Sequence, residues 1–130
     1  MSDKPVKAGI VGLGRWAKVL TKASKQSKLI EIVEGYSRSE EKRTAFQLEL
    51  GVPTASSMQA ILSDSEIRGV ILTVPNEQHL PMAREVAKSG KHVYTEKPIA
   101  STLEDGLEIA ALQQKYGITV TVGHLSLIHI

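Results

Sequence analysis

An α/β fold built on a doubly wound parallel sheet is what this chain predicts, on three observations. Short apolar runs alternate with segments of helical periodicity from end to end. The joins between them are short, with no internal repeat or linker. A glycine-rich turn stands between the first apolar run and the first helical segment. At 130 residues, 42% of them hydrophobic, the chain suits one compact core burying about two-thirds of its unfolded surface.

The elements follow in order. "VKAGIV" is a short apolar run of the kind buried on both faces of a parallel sheet. Trp16, Val19, Leu20 and Ala23 then recur at helical spacing, which predicts a helix with these four in its core. "LIEIVEGY" reads as the second strand. Ser39 is an N-cap, followed by Glu40 and Glu41 in the positive end of the next helix dipole. "GVPTA" predicts a short third strand and "SSMQAILSD" a brief helix. "GVILTV" is the fourth strand. The helix after it starts near His79, with Pro81 in its first turn, Leu80, Ala83 and Val86 inward, and Gly90 beyond its end. "HVYT" is the fifth strand. Ser101 and Glu104 form a capping box for a helix expected to bury Leu103, Leu107, Ala110 and Ala111. Gly117 ends that helix, and "ITVTV" is the sixth strand.

Charge and composition exclude several classes. Sixteen basic and 14 acidic residues are mixed along the chain for a net charge of +2, so no concentrated basic face offers itself to nucleic acid. There is no cysteine, which removes disulfide and thiol chemistry. The start "MSDKPVK" carries no apolar signal stretch and no run approaches membrane-spanning length, so a soluble, cytoplasmic domain without a membrane partner is expected. No His/Asp/Glu spacing resembles a metal site, and His92 reads as structural.

Ligands of a doubly wound sheet sit beyond the carboxyl ends of its strands, so those loops carry the functional signal. After the first strand comes "GLGRWA", with Gly12, Gly14 and Ala17 at the small positions of a dinucleotide-phosphate turn. Leu13, Arg15 and Trp16 lie between them and join the candidate contacts, although Trp16 is more simply read as helix core. After the second strand, NAD binders usually place an acid for the ribose hydroxyls; here stand Ser37 and Arg38. A guanidinium beside a small hydroxyl suits a 2′-phosphate, each charge-assisted bond contributing about 1.5–3 kcal/mol. Lys42 or Arg43 can add to it, and the cofactor expected is NADP, with NAD possible through Glu34. Glu34 falls before the crevice in the strand pattern. After the fourth strand, Thr73, Val74, Pro75 and Asn76 make a rigid turn facing a ribose or nicotinamide, and His79 either points into the crevice or opens the next helix. After the fifth strand come Glu96, Lys97 and Pro98, the proline biasing Lys97 to an extended backbone that projects past the strand end.

Taken together, "GIVGLGRWA", "YSRSEEKR", "TVPNEQH", "GKHVYTEKPIA" and "VGH" resemble, in order and spacing, the N-terminal domain of the Gfo/Idh/MocA oxidoreductases. The resemblance runs from residue 9 to residue 124 and implies a three-layer Rossmann fold over residues 1–124. It also implies that Lys97 holds the substrate oxygen and favours its negative charge during hydride transfer, with Glu96 positioning the loop and Pro98 beside the cofactor. The substrate class it implies is a sugar, polyol or related hydroxyl or carbonyl compound.

Full members of that family continue into a sheet-rich second domain, which supplies the substrate pocket and most oligomer contacts, so the whole protein is expected to be a homo-oligomer. Here "LSLIHI" follows instead, as CTG TCT CTT ATA CAC ATC encodes, similar to a transposon-end adaptor; residues 125–130 are expected to be non-native. The domain alone is expected to bind cofactor without efficient turnover. The competing readings are a stand-alone NAD(P)-binding module without chemistry, and a domain for another adenine ligand such as S-adenosylmethionine, against which the Glu-Lys-Pro triplet argues.

Overall fold

The computed structural model describes residues 5–75, 78–96 and 103–123. In chain order it contains β1 (Val6–Val11), α1 (Arg15–Ser24), β2 (Ile30–Tyr36), α2 (Glu40–Leu50) and α3 (Met58–Leu62). Then come β3 (Gly69–Leu72), α4 (His79–Lys88), β4 (His92–Glu96), α5 (Leu103–Tyr116) and β5 (Val120–Gly123). The strands form one parallel sheet in the order β2-β1-β3-β4-β5. The chain leaves β1 for β2 in one direction and returns past β1 to β3 in the other, so the strand order reverses between β1 and β3. Val11 pairs with Leu72, and Leu72 with Thr95, which brings the carboxyl ends of β1, β3 and β4 to one edge.

Alternation along each strand divides the core in two. Ile10 and Ile71 face α1 and α2, where they meet Leu13, Leu20, Phe46 and Leu50. Val11, Val70, Leu72 and Val93 face the other way and meet Ile61, Ala83, Val86 and Ile109. Burying a Leu, Ile or Phe of this size stabilises the fold by about 2–3 kcal/mol each, so both layers are strongly held.

Local signals set most boundaries. The Ser39 hydroxyl accepts from the Lys42 N–H at 3.2 Å, capping α2 as its sequence predicts. Ser57 does the same for α3 through Ala60. Gly90 and Gly117 follow α4 and α5 in the left-handed region, at φ +77° and +66°.

Three expectations are corrected. "GVPTA" forms no strand: Thr54 makes a single bridge to Gly35, and Pro53, which has no N–H, cannot carry the ladder further back. In α1 the buried residues are Ala17, Leu20, Thr21 and Ser24, the expected stripe moved on by one residue, and Trp16 is 59% exposed. The small Ala17 must face the sheet for the helix to approach it, and it carries the polar Thr21 and Ser24 inward on the same face. In α5, Leu103, Leu107, Ala110 and Ala111 are all exposed, while Ile109 and Leu112 enter the core with Tyr116 packed beside them. That helix carries two apolar stripes, and the one with the isoleucine and the aromatic ring packs against α4. The capping residue Ser101, the tail 124–130, and Asn76, Lys97 and Pro98 lie outside the described residues.

Candidate functional site

The first loop of the site is the turn between β1 and α1. Gly12 sits at φ +92°, where its N–H donates to the Tyr36 carbonyl at 2.8 Å. A Cβ on Gly12 would lie 2.7 Å from the Thr73 carbonyl oxygen, so only glycine fits. The demand at Gly14 is different. It is the N-cap of α1 in ordinary extended backbone, and a Cβ there would meet nothing within 4 Å. No side chain caps α1 and its first turn carries no acid, so the amide donors of that turn stay open to an anion. Ala17, fully buried, lets α1 sit close to the sheet.

The loop after β3 braces that turn. The Thr73 N–H donates to Val11 O at 2.9 Å, and its hydroxyl bonds the carbonyls of Gly12 at 2.6 Å and Val11 at 3.1 Å. The Thr73 hydroxyl is thus turned toward the glycine turn rather than toward a ribose. His79 is 2% exposed, with Nε2 donating to the Val74 carbonyl at 3.0 Å. Of its two predicted positions, it takes the one at the start of α4, where it is tied to the Val74–Pro75 turn.

After β2, the loop 37–39 is tied to the first turns of α2. The Ser37 hydroxyl accepts from the Ser39 N–H at 3.1 Å, which leaves its own proton available to donate. Arg43 Nη1 donates to the Ser37 carbonyl at 2.8 Å and the Arg38 carbonyl at 3.3 Å. Arg38 and Lys42 are exposed.

These three loops enclose a cleft of about 310 Å³ lined by Val11, Gly12, Leu13, Gly14, Tyr36, Ser37, Arg38, Ser39, Lys42, Thr73, Val74, Pro75, Gln78 and Met82. Its described lining holds two cations, Arg38 and Lys42, and no carboxylate. Arg15 and Trp16 are exposed on α1 and do not line it. A larger open hollow of about 500 Å³, between Lys7, Glu66, Arg68 and His92, lies at the amino ends of the strands. It is crossed by the Lys7–Glu66 ion pair at 2.9 Å and is remote from the ligand end of such sheets, so the smaller cleft is the functional candidate.

Glu34 is absent from the cleft lining: it pairs with Gly9, in the body of β2. Burial, with a contribution from Asp64, holds its carboxyl above the usual range. His92 Nδ1 accepts the Thr119 N–H at 3.1 Å, fastening the approach to β5. Among the described residues no group of three or more His, Asp or Glu is arranged to hold a metal ion, and no helix is long and apolar enough to cross a membrane.

Sequence reasoning omitted Val11, Tyr36, Gln78 and Met82 from the site, and read Ser39 only as a helix cap. Tyr36 is the last residue of β2, so its position at a strand end was the available signal. Gln78 and Met82 border the cleft from the start of α4, and nothing in their local pattern marks them.

A glycine turn opening a helix N-terminus at the point where strand order reverses, with a cationic loop at the next strand end, defines a dinucleotide-binding Rossmann domain. The chain belongs to the Gfo/Idh/MocA family, described as an oxidoreductase family with an NAD-binding Rossmann fold, which matches residues 6–124. It is 32% identical over 120 residues to an uncharacterised oxidoreductase of Streptococcus pneumoniae serotype 4, covering 92% of this chain and 32% of that one. Its fold matches a proposed NADPH-dependent oxidoreductase from Desulfitobacterium hafniense, with a TM-score of 0.88 and 36% identity over 93% of this chain and 35% of that one. It also matches the WlbA dehydrogenase of Bordetella pertussis, solved with NADH and UDP-GlcNAcA, with a TM-score of 0.86 and 30% identity over 94% and 37% of the two chains. The chain spans about a third of the length of these relatives. It is the NAD(P)-binding domain of an oxidoreductase family.

Proposed function

We propose that this domain prefers NADP to NAD and serves an oxidoreductase acting on a sugar, polyol or related hydroxyl or carbonyl compound. The observation that carries the cofactor preference is the loop beyond β2, where Ser37, Arg38 and Lys42 line a cleft whose described wall has no carboxylate. An NAD site needs an acceptor for the ribose hydroxyls; this loop presents donors, which suit a phosphate. The amide donors of the α1 first turn would hold the pyrophosphate, and the open space before Gly14 admits it.

A bound nicotinamide supplies the hydride acceptor for a hydroxyl substrate or the donor for a carbonyl. In sequence Lys97 comes directly after Glu96, the last residue of β4. In this reading its ammonium holds the substrate oxygen as negative charge develops there, and Glu96 positions the loop. The sugar-class assignment draws support from the UDP-GlcNAcA bound by the WlbA dehydrogenase.

Titration of this chain with NADPH and with NADH, followed by Trp16 fluorescence and by calorimetry, tests the preference. Saturable binding is expected for both, with NADPH about tenfold tighter. Equal or tighter binding of NADH would remove the Ser37–Arg38 assignment. The absence of binding to either would remove the cofactor assignment altogether.

A further inference from the structure

Arg43 stands out because its obvious role is not the one its geometry serves. As one of two cations that follow the loop 37–39, it reads in sequence as a second hand for a 2′-phosphate. In the structure it is only partly exposed and does not line the cleft, unlike its neighbour Lys42. Its guanidinium turns back, and a single NH₂ group donates to two consecutive carbonyls, those of Ser37 and Arg38. Among the described residues the ion pairs involve Lys7, Lys18, Lys22 and Arg84, and no carboxylate neutralises Arg43.

We propose that Arg43 is a positioning residue for cofactor choice: by holding the Ser37 and Arg38 carbonyls it fixes the backbone from which the Ser37 hydroxyl and the Arg38 guanidinium meet the 2′-phosphate. The proposal rests on the NADP reading of the cleft. Its physical basis is the cost of immobilising a long side chain. Arg38 is exposed, so a loose peptide beneath it would add backbone freedom to the freedom of a long side chain, all lost on binding. The loop has few other ties, all on Ser39: its N–H to the Ser37 hydroxyl at 3.1 Å, its cap on α2 at 3.2 Å, and its carbonyl accepting the Arg43 N–H at 3.0 Å. None of them restrains the Arg38 carbonyl. Both bonds come from one nitrogen, Nη1, whose two N–H bonds are held in fixed directions by the planar guanidinium, which a freely rotating ammonium on a shorter stem does not reproduce.

The test compares two halves of the cofactor, 2′,5′-ADP and 5′-AMP, by calorimetry on the wild-type chain, Arg43→Met, Arg38→Met and the double variant. Wild type is expected to favour 2′,5′-ADP by about tenfold or more. Arg43→Met should remove most of that ratio by weakening 2′,5′-ADP, while its 5′-AMP affinity stays at the wild-type value and reports an intact fold. In the double variant, Arg43→Met should add nothing to the loss already caused by Arg38→Met, because it acts through that residue. An unchanged ratio in Arg43→Met would overturn the proposal, and so would losses that simply add, which would mean an independent contact with the phosphate. If Arg43→Met does not fold, Arg43→Lys decides: the charge is kept and the ratio should still narrow, whereas a wild-type ratio would overturn the positioning role. A wild-type chain with no preference between the two probes would overturn the NADP reading itself, and this proposal with it.

Discussion

The turn 12–14 and the loop 37–39 both face the cleft, and they are built on opposite principles. In the turn, conformation and steric contact do everything: Gly12 is confined by its +92° φ and by the Thr73 carbonyl, and Thr73 pins the adjacent carbonyls. Its donors are backbone amides, the same for any dinucleotide. In the loop, the backbone is ordinary and side chains supply the donors, steadied by one guanidinium. Affinity for the shared pyrophosphate and choice between cofactors therefore reside in separable parts of one cleft.

Substitutions can break or sharpen that separation. The largest effect is expected at Gly12: Gly12→Ala must strain the backbone and displace Thr73, and should lower stability by about 3 kcal/mol or more in urea denaturation. Gly14→Ala meets open space, so its stability cost should stay within about 1 kcal/mol, yet NADPH and NADH should both lose about 30-fold or more in affinity by calorimetry. Equal stability losses at the two glycines would collapse the distinction between them. Thr73→Val removes the hydroxyl brace at nearly constant shape, and should cost about 1–2 kcal/mol in the same urea assay.

Arg38→Met should weaken NADPH by about tenfold with NADH unchanged, and a matching loss for NADH would show that the loop is not selective. The smallest effect concerns Glu34. Burial first, then Asp64, raises its carboxyl above the ordinary 4.5, so the folded state takes up its proton more readily than the unfolded chain does. The associated stability is complete below 4.5 and is lost as pH rises through the folded value. Glu34→Gln should therefore stabilise the protein at neutral pH, and the gain should fade below the ordinary carboxylate range, with both cofactors bound as before because Glu34 lies outside the cleft.

The central strands were the most legible part of the chain, because burial on both faces produces continuous apolar runs such as "GVIL", whereas "GVPTA", short and broken by Pro53, reads as a strand and forms only one bridge. Helix ends were legible where a Ser cap or a terminal glycine marks them, as at Ser39 and Gly90. Helix faces were not. In α1 the inward stripe includes Thr21 and Ser24, polar residues that a hydrophobicity pattern discounts, and in α5 two apolar stripes compete with only tertiary packing to choose between them. The site followed the same division. Residues tied to strand ends and glycines were found from spacing, whereas the inward turn of the Thr73 hydroxyl and of Arg43 depends on partners 61 and 6 residues away, which no local pattern contains.

Lys91 offers a use for a detail of the core. It is 5% exposed, and its Nζ donates to the carbonyls of Asp64 and Ile67, with burial lowering its proton affinity. An amine-reactive reagent will meet the surface lysines of the folded chain at once but will reach Lys91 only when the segment joining α3 to β3 opens. The time course of its labelling, read by mass spectrometry beside that of an exposed amine such as Lys42, is a clock for that opening, already present in the native sequence.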